Sequence, residues 1–162
     1  MRYLILAVAA AGLAGCVAVD VTEAERPAAI RQSIVPAQAQ RAYDELHFSP
    51  AMRAGDYVFL SGVVAGLPEN QRADAAAVEA AYDRAFRIVG MVLGEADAEW
   101  ADVVEITTYH TDLPAQFESF SRVKDRYVPE PYPAWTAIDV DRLLPDDGMV
   151  EIRVIAYAPR GD

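Results

Sequence analysis

The chain has 162 residues, which is enough for one domain with a full hydrophobic core but too few for two ordinary domains. Hydrophobic residues make up 53% and charged residues 24% of the sequence, a globular composition that excludes a disordered chain. The formal net charge of −11 argues against nucleic acid as a partner, because an acidic surface repels the phosphate backbone.

The start of the chain has the anatomy of a secretory signal peptide, predicted to span residues 1–15. Arg2 supplies a positive charge, and an apolar run too short to cross a bilayer continues to Leu13. The letters "LAGC" that end at Cys16 resemble a bacterial lipobox. This resemblance implies cleavage before Cys16 and acylation of that residue. An ordinary signal peptide is the alternative.

Cys16 is the only cysteine, so the sequence predicts neither a disulfide nor a thiol nucleophile in the folded domain. Acylation there would anchor the protein in a membrane, since several acyl chains hold more firmly than one. Val17 follows the cysteine, which by resemblance to Gram-negative lipoproteins favours the periplasmic face of the outer membrane. Residues 16–41 lack a regular apolar period, and we predict a tether there, in which a short strand or helix is allowed.

The predicted domain covers residues 42–160 and opens with two strands. The stretch "ELHFSPAMRAGDYVFLSGVVAG" has a turn signal at Ala54-Gly55-Asp56, between two apolar runs. The following segment, "ADAAAVEAAYDRAFRIVGMVLGEA", repeats apolar residues at helical spacing and predicts an amphipathic helix.

The second half of the domain contains three more strands and a helix. β-Branched residues predict a strand from Val103 to Thr111, and Pro114 suits the start of a helix. The final strands are predicted from Trp135 to Val140 and over "MVEIRVIAYA", Met149–Ala158. The order ββαβαββ predicts an α+β fold with two helices on one face of a sheet. The other face carries Ile155, so self-association is expected to cover it.

Four blocks of sequence, in this order, resemble the RidA (YjgF) family. They are "RAGDYVFLSG", "ADVVEITTYHTDLPAQF", "YPAWTAIDV" and "LLPDDGMVEIRVIAYAP". The resemblance implies a chorismate-mutase-like fold, a homotrimer and small-molecule sites in clefts between subunits. It also implies hydrolysis of reactive enamines and imines to 2-oxo acids and ammonia, without a metal or an organic cofactor.

Three positions match functional residues of that family. Ser61 and Gly62 match its Ser-Gly pair, and Glu151 matches the glutamate on the last strand. The resemblance assigns catalytic roles to Glu151, as acid and base, and to Ser61, as a hydrogen-bond donor. Gly62 is assigned to substrate binding.

Other binding positions depart from the family pattern. Trp135 stands where an arginine normally clamps the substrate carboxylate, while Ala137, Phe48 and Ser121 replace a cysteine, a tyrosine and an asparagine. An indole offers one N–H and an apolar face instead of a bidentate cation. We therefore expect carboxylate-bearing imines to be poor substrates, unless Arg153 serves as the clamp. Neutral or cationic ligands fit better, because a cation is attracted to the face of an indole.

Alternatives remain at these positions. Glu151 could pair with Arg153 or with a neighbouring strand, and an ion pair of this kind is as compatible with the sequence as a catalytic group. His110 is interpreted as a structural histidine, and neither it nor His47 lies at metal-ligand spacing. The favoured function is a lipid-anchored Rid-type protein that binds, and hydrolyses, a small C=N substrate. The alternative is a non-catalytic ligand-binding or protein-interaction module of the cell envelope.

Overall fold

A computed structural model describes residues 31–68 and 73–160 of the chain. Seven strands form one sheet: β1 Arg31–Ile34, β2 Ala51–Ala54, β3 Tyr57–Leu60, β4 Val63–Gly66, β5 Val103–His110, β6 Ala134–Asp139 and β7 Gly148–Tyr157. The α-helices in the described residues are α1 Gln40–Leu46, α2 Ala75–Glu95 and α3 Leu113–Lys124.

The last strand, β7, organises the sheet. The strand order is β1-β2-β3-β7-β5-β6, and β4 also pairs with β7. Only β5 and β6 run parallel; the other pairs are antiparallel. Because β7 exchanges hydrogen bonds with β3, β4 and β5, its alternation of side chains defines the two faces for the whole centre of the sheet.

Helices α2 and α3 cover one face, which encloses the core. The even-numbered residues of β7 from Val150 to Ala156 are buried against them. The stripe that α2 contributes consists of Ala77, Ala81, Tyr82, Ala85, Phe86, Val89, Val92 and Leu93. Asp74 caps the start of α2, since its carboxylate accepts the backbone N–H of Ala77 at 2.9 Å. Propensity, capping and the apolar period therefore agree along this helix.

The opposite face, called here the open face, keeps its side chains half-buried or exposed. Glu151, Arg153 and Ile155 of β7 lie on it. Its aromatic residues are more accessible, with 45% of Tyr57 and 44% of Tyr157 exposed. Exposed aromatic side chains at neighbouring positions of a sheet favour association with another surface.

The predicted α+β fold, with one sheet and the two long helices on one face, is confirmed. Residues 31–41, assigned to the tether, include the edge strand β1, which pairs with β2, and the start of α1. The first predicted strand is shorter than expected because α1 continues to Leu46 and His47 ends it in a left-handed conformation, with φ of 56°. A strand therefore cannot begin before residue 51.

The predicted signal peptide and Cys16 lie outside the described residues. No helix within residues 31–68 and 73–160 combines the length and apolar character needed to cross a membrane.

Candidate functional site

A cleft of about 290 Å³ lies where β3 gives way to β4, against helix α2. We call it the Ser61 cleft. Its lining combines one polar hydroxyl with apolar side chains from three parts of the chain: Ala39, Phe48, Pro50, Ser61, Gly62, Val63, Val64, Ile88, Met91 and Val92. Three of the residues predicted from the sequence, Phe48, Ser61 and Gly62, are thus brought together.

The cleft exists because a single predicted strand is broken at Ser61-Gly62. Phe59 pairs with Ile155 and Val63 pairs with Ile152, so β3 and β4 advance one residue more than β7 between these pairs. An extra residue in one strand bends it and interrupts the ladder, as a β-bulge does. The backbone N–H of Ser61 instead donates to the carbonyl of Pro50 at 2.9 Å.

Glu151 lies directly against Gly62. A Cβ built on Gly62 would lie 1.6 Å from Oε1 of Glu151, so any other residue there would force the carboxylate to move. Glycine therefore leaves room for the carboxylate in its present position. The contact places an acidic group beside one wall of the Ser61 cleft.

The neighbours of Glu151 show whether its carboxylate belongs to an ion pair. It is half-buried on the open face, and its neighbours across the ladders are Val64 and Tyr109. Within the described residues its carboxylate has no salt bridge and no side-chain hydrogen bond; Arg153 instead lies 4.0 Å from Glu105. Among the described residues, the ion-pair alternative is thus not realised.

The hydroxyl of Ser61, predicted from the sequence as a hydrogen-bond donor in catalysis, has a backbone partner. Its Oγ donates to the carbonyl of Ser49 at 2.7 Å. A hydroxyl has one proton and two lone pairs, so Ser61 also retains acceptor capacity in this arrangement.

Trp135 belongs to a second cluster, on the helix-covered face at the β6 edge. Its indole stacks on Phe117, with ring centroids 5.4 Å apart and planes 5° from parallel. The ammonium of Lys124 lies 5.0 Å from the indole centroid, a cation–π contact. Ser121 lies between Phe117 and Lys124 along the same side of α3, and its buried Oγ has no partner in the described residues.

A chain of hydrogen bonds fixes the indole of Trp135. Its Nε1–H donates to Oγ1 of Thr108 at 3.1 Å, and this hydroxyl lies 2.9 Å from Nε2 of His110. Nδ1 of His110 lies 3.3 Å from Oε1 of Gln116. Because the amide oxygen of Gln116 can only accept, neutral His110 carries its proton on Nδ1, and its Nε2 accepts from the hydroxyl of Thr108. Burial lowers the pKa of His110, in agreement with this state.

His110 is thus a structural residue, as the sequence analysis interpreted it: fully buried, with both ring nitrogens engaged. Among residues 31–68 and 73–160, no three His, Cys, Asp or Glu side chains gather closely enough to hold a metal ion.

The predicted site residues therefore fall into two groups within one protomer. Phe48, Ser61, Gly62 and Glu151 lie around the Ser61 cleft, while Trp135, Ala137 and Ser121 lie near the β6 edge. Trp135 pairs with Ile106 and shares its helix-covered face, whereas Glu151 lies on the open face. Because β7 and β5 lie between β4 and β6, the strands β4 and β6 are about 14 Å apart across the sheet. Arg153 belongs to neither group.

Sequence reasoning missed the wall of the cleft supplied by α2. Ile88, Met91 and Val92 recur at helical spacing, but Ile88 lies outside the buried stripe and is 44% exposed. An apolar residue beside, rather than within, the core stripe is the signal that could have revealed this wall.

Comparison with known proteins gives consistent matches. A family model described as endoribonuclease L-PSP matches residues 38–158. The RutC family protein YjgH of Escherichia coli (strain K12) is 35% identical over 134 residues, covering 80% of this chain and 96% of that protein. Reactive Intermediate Deaminase A, chloroplastic, of Arabidopsis thaliana is 32% identical over 109 residues, covering 67% of this chain and 57% of that protein.

The fold has matches among solved structures as well. A structure described as protein YJGH superimposes with a TM-score of 0.68 at 32% sequence identity, covering 81% of this chain and 98% of the other. The matched part therefore spans nearly the whole length of that relative.

Proposed function

The chain belongs to the RidA/YjgF family, described as endoribonuclease L-PSP, and we propose that it binds a small metabolite at the Ser61 cleft and hydrolyses an imine or enamine. The observation that carries this proposal is the carboxylate of Glu151, which has no ion-pair partner in the described part of the chain and lies against Gly62 at the wall of an apolar cleft. A relative named Reactive Intermediate Deaminase A supports it, because hydrolysis of an imine is a deamination.

The proposed reaction adds water across a C=N bond. The substrate reacts as the protonated imine: Glu151 takes a proton from water as the water oxygen attacks the imine carbon, which gives a neutral carbinolamine. The protonated carboxyl then passes its proton to the nitrogen. As the C–N bond breaks and ammonia leaves, Glu151 takes the proton of the carbinolamine hydroxyl, and the carbon becomes a carbonyl. An enamine must first take a proton on carbon to become the imine. One carboxylate that alternates between base and acid serves all these steps.

Ser61 fits the same reaction as an acceptor. The nitrogen of a protonated imine carries N–H groups. Ser61 Oγ can accept a hydrogen bond from one of them while its own O–H continues to donate to the carbonyl of Ser49. Glu151 adds a negative charge that favours the iminium over the neutral imine.

The lining of the Ser61 cleft defines the class of substrate. None of its ten described lining residues is a lysine, arginine or histidine, and the carboxylate of Glu151 lies against Gly62. A substrate carboxylate would find no cation among these residues and would be repelled by Glu151. We therefore propose neutral or cationic imines with an apolar substituent, which would pack on Ile88 and Met91.

Assembly would join the two groups of predicted residues. Because Trp135 and Glu151 of one protomer lie on opposite faces of the sheet, a single pocket containing both needs a second copy of the chain. A homotrimer with sites between subunits meets this need and covers the aromatic residues of the open face. Analytical ultracentrifugation tests this proposal, with three times the protomer mass as the expected result.

The description endoribonuclease suggests RNA as a different substrate. The net charge of −11 and the absence of basic side chains from the Ser61 cleft weigh against it, since binding to RNA depends on Lys and Arg contacts with phosphate. Imine hydrolysis accounts better for an apolar cleft beside one carboxylate.

Glu151→Gln tests the proposed chemistry. In the assay, an amine oxidase generates a neutral imine in situ, and an added nucleophile traps this imine. The purified protein should hydrolyse the imine to a carbonyl compound and ammonia, and so reduce the amount of trapped product. We expect Glu151→Gln to slow this hydrolysis at least about 100-fold, the usual contribution of a general acid–base group. Glu105→Gln makes the same charge change on the open face and should retain activity.

Equal activity of wild type and Glu151→Gln would contradict the assignment. Ligand binding without turnover, detected by thermal-shift screening of small metabolites, would instead support the non-catalytic module. That second candidate is favoured by Trp135, Ala137 and Ser121, which replace the polar residues expected from the resemblance.

The proposed location is the periplasmic face of the outer membrane, through acylation of Cys16. This rests on the lipobox-like sequence alone. Incorporation of labelled palmitate into the wild type, and its loss in Cys16→Ser, would support it; equal labelling of both would contradict it.

A further inference from the structure

A second cleft, distinct from the Ser61 cleft, lies at the other end of the β2–β3 hairpin. It has a volume of about 180 Å³ and is lined by Gln32, Arg53, Gly55, Asp56 and Arg160. We call it the Arg53 cleft. Ser61 and Pro50 lie at one end of the two strands and Asp56 at the other, so about four residues, or about 13 Å, separate the clefts.

Arg53 is the unusual member of this lining. Only 3% of it is exposed, and its charge has no carboxylate partner within the described residues. Two of its nitrogens donate to backbone carbonyls, Nη1 to Ala158 at 2.6 Å and Nη2 to Ala96 at the end of α2. Its buried Nε has no acceptor in the described part of the chain. A guanidinium carries five N–H groups, so the carbonyls use only part of its capacity.

Arg160 places a second guanidinium at the same cleft. Its Nη2 donates to Oε1 of Gln32 at 2.6 Å, and Gln32 pairs directly with Arg53 across β1 and β2. Because the amide oxygen of Gln32 is engaged, its NH₂ group remains as a donor. No carboxylate within the described residues forms a salt bridge with Arg160. Among the described residues of the lining, Asp56 is the one acidic side chain beside two arginines, so these lining residues together carry a positive charge.

We infer that the Arg53 cleft binds a small oxyanion, the phosphate or carboxylate group of a metabolite. Two arginines and a glutamine line a cavity of about 180 Å³ in a chain whose net charge is −11. The planar fork of arginine matches the paired oxygens of both anions. An oxyanion there would neutralise the buried charge of Arg53 and accept hydrogen bonds from Arg160. This inference is independent of any chemistry at the Ser61 cleft.

Titration of the full-length protein tests the inference. Inorganic phosphate and acetate are added at constant ionic strength, with sodium chloride as the reference, while thermal stability and binding heat are measured. We expect saturable binding of at least one oxyanion. If phosphate binds more tightly than acetate, the natural ligand carries a phosphate group. If acetate binds as tightly as phosphate or more tightly, the natural ligand carries a carboxylate.

Two substitutions should shift the affinity in opposite directions. Arg160→Gln removes a cation at the mouth and should weaken binding about fivefold, whereas Asp56→Asn removes a repulsive charge and should strengthen it about twofold. Arg142→Gln and Asp146→Asn make the same charge changes in an exposed pair elsewhere and should leave binding unchanged. Arg53→Lys, if it folds, should weaken binding, since a lysine lacks the planar fork.

The inference is overturned if chloride produces the same response as phosphate and acetate. It is equally overturned if Arg160→Gln and Asp56→Asn behave like their two controls. Because neither substitution alters a buried side chain, a folding defect does not obscure this outcome.

Discussion

The carboxylate of Glu151 lies where any side chain on Gly62 would have to begin. This contact links the bulge between β3 and β4 to the alternation of β7, and it holds an acid next to the Ser61 cleft. Glycine at position 62 permits this close approach, and its backbone does not have a positive φ that would favour glycine on other grounds.

Gly62→Ala should therefore displace the carboxylate of Glu151 and slow the proposed reaction. Because the added atom meets the end of a flexible, half-buried side chain, the free energy of unfolding should fall by no more than about 1 kcal/mol. Gly94→Ala is a matched control, because a Cβ there meets nothing within 4 Å and Gly94 lies inside α2. The control should raise the free energy of unfolding by about 0.5–1 kcal/mol. Urea denaturation measures both values; an unchanged stability and activity of Gly62→Ala would contradict the contact.

The buried His110 predicts a pH dependence of stability. Burial lowers its pKa below the ordinary value of 6.5, so the unfolded chain binds this proton more readily than the folded one. The free energy of unfolding should consequently stay nearly constant while the pH is well above 6.5 and fall as the pH decreases through and below 6.5, by up to about 1.4 kcal/mol per pH unit. Glu79 and Asp83, whose ordinary pKa values are 4.5 and 3.8 and are lowered by Arg122 and Tyr127 respectively, lose their contributions only at lower pH.

Two variants isolate this effect. His110→Gln should flatten the dependence between pH 8 and 5.5, whereas His47→Gln, at an exposed position, should keep it. Denaturation at a series of pH values provides the measurement. Parallel curves for wild type and His110→Gln would rule out the buried histidine as the cause.

Trp135→Phe should separate the stacking of Trp135 from its hydrogen bond. A phenyl ring can still stack on Phe117 but cannot donate to Thr108, and loss of that bond should cost about 1 kcal/mol. Trp100→Phe is the control, because no hydrogen bond from its indole to another described residue is present while it also packs on aromatic rings. Denaturation measures how much each substitution lowers the free energy of unfolding, and Trp135→Phe should lower it more than Trp100→Phe. Equal losses would mean that the hydrogen bond contributes nothing to stability.

Ile88→Arg should change the substrate preference at the Ser61 cleft. Its side chain is 44% exposed at the α2 wall, so an arginine can be accommodated there and would supply the cation that the lining lacks. We expect the rate for 2-aminoacrylate, an enamine that carries a carboxylate, to rise about tenfold relative to the rate for a neutral imine. This is the effect of one charged hydrogen bond. Leu144→Arg, at a position that is 81% exposed elsewhere, should leave the ratio unchanged. An equal ratio in both variants would place substrate binding outside this cleft.

The sequence by itself determined the elements whose signal is local. The alternation along β7 separated Val150 and Ile152, which are buried, from Glu151 and Arg153, and the apolar period of α2 located its core stripe. Four blocks in order were enough to identify the family. Each of these signals depends on spacing within one segment, where the geometry of a strand or helix is fixed by the backbone alone.

Only the tertiary structure decided which residues meet. The bulge at Ser61-Gly62 arises because β3 and β4 pair with different halves of β7, and a register between distant segments leaves no local pattern. For the same reason the sequence could not show that Trp135 packs among Phe117 and Lys124 while Glu151 lies on the other face. Nor could it show that Arg53, the third residue of β2, is buried against the end of α2. Whether a strand side chain is buried depends on the element that covers that face of the sheet.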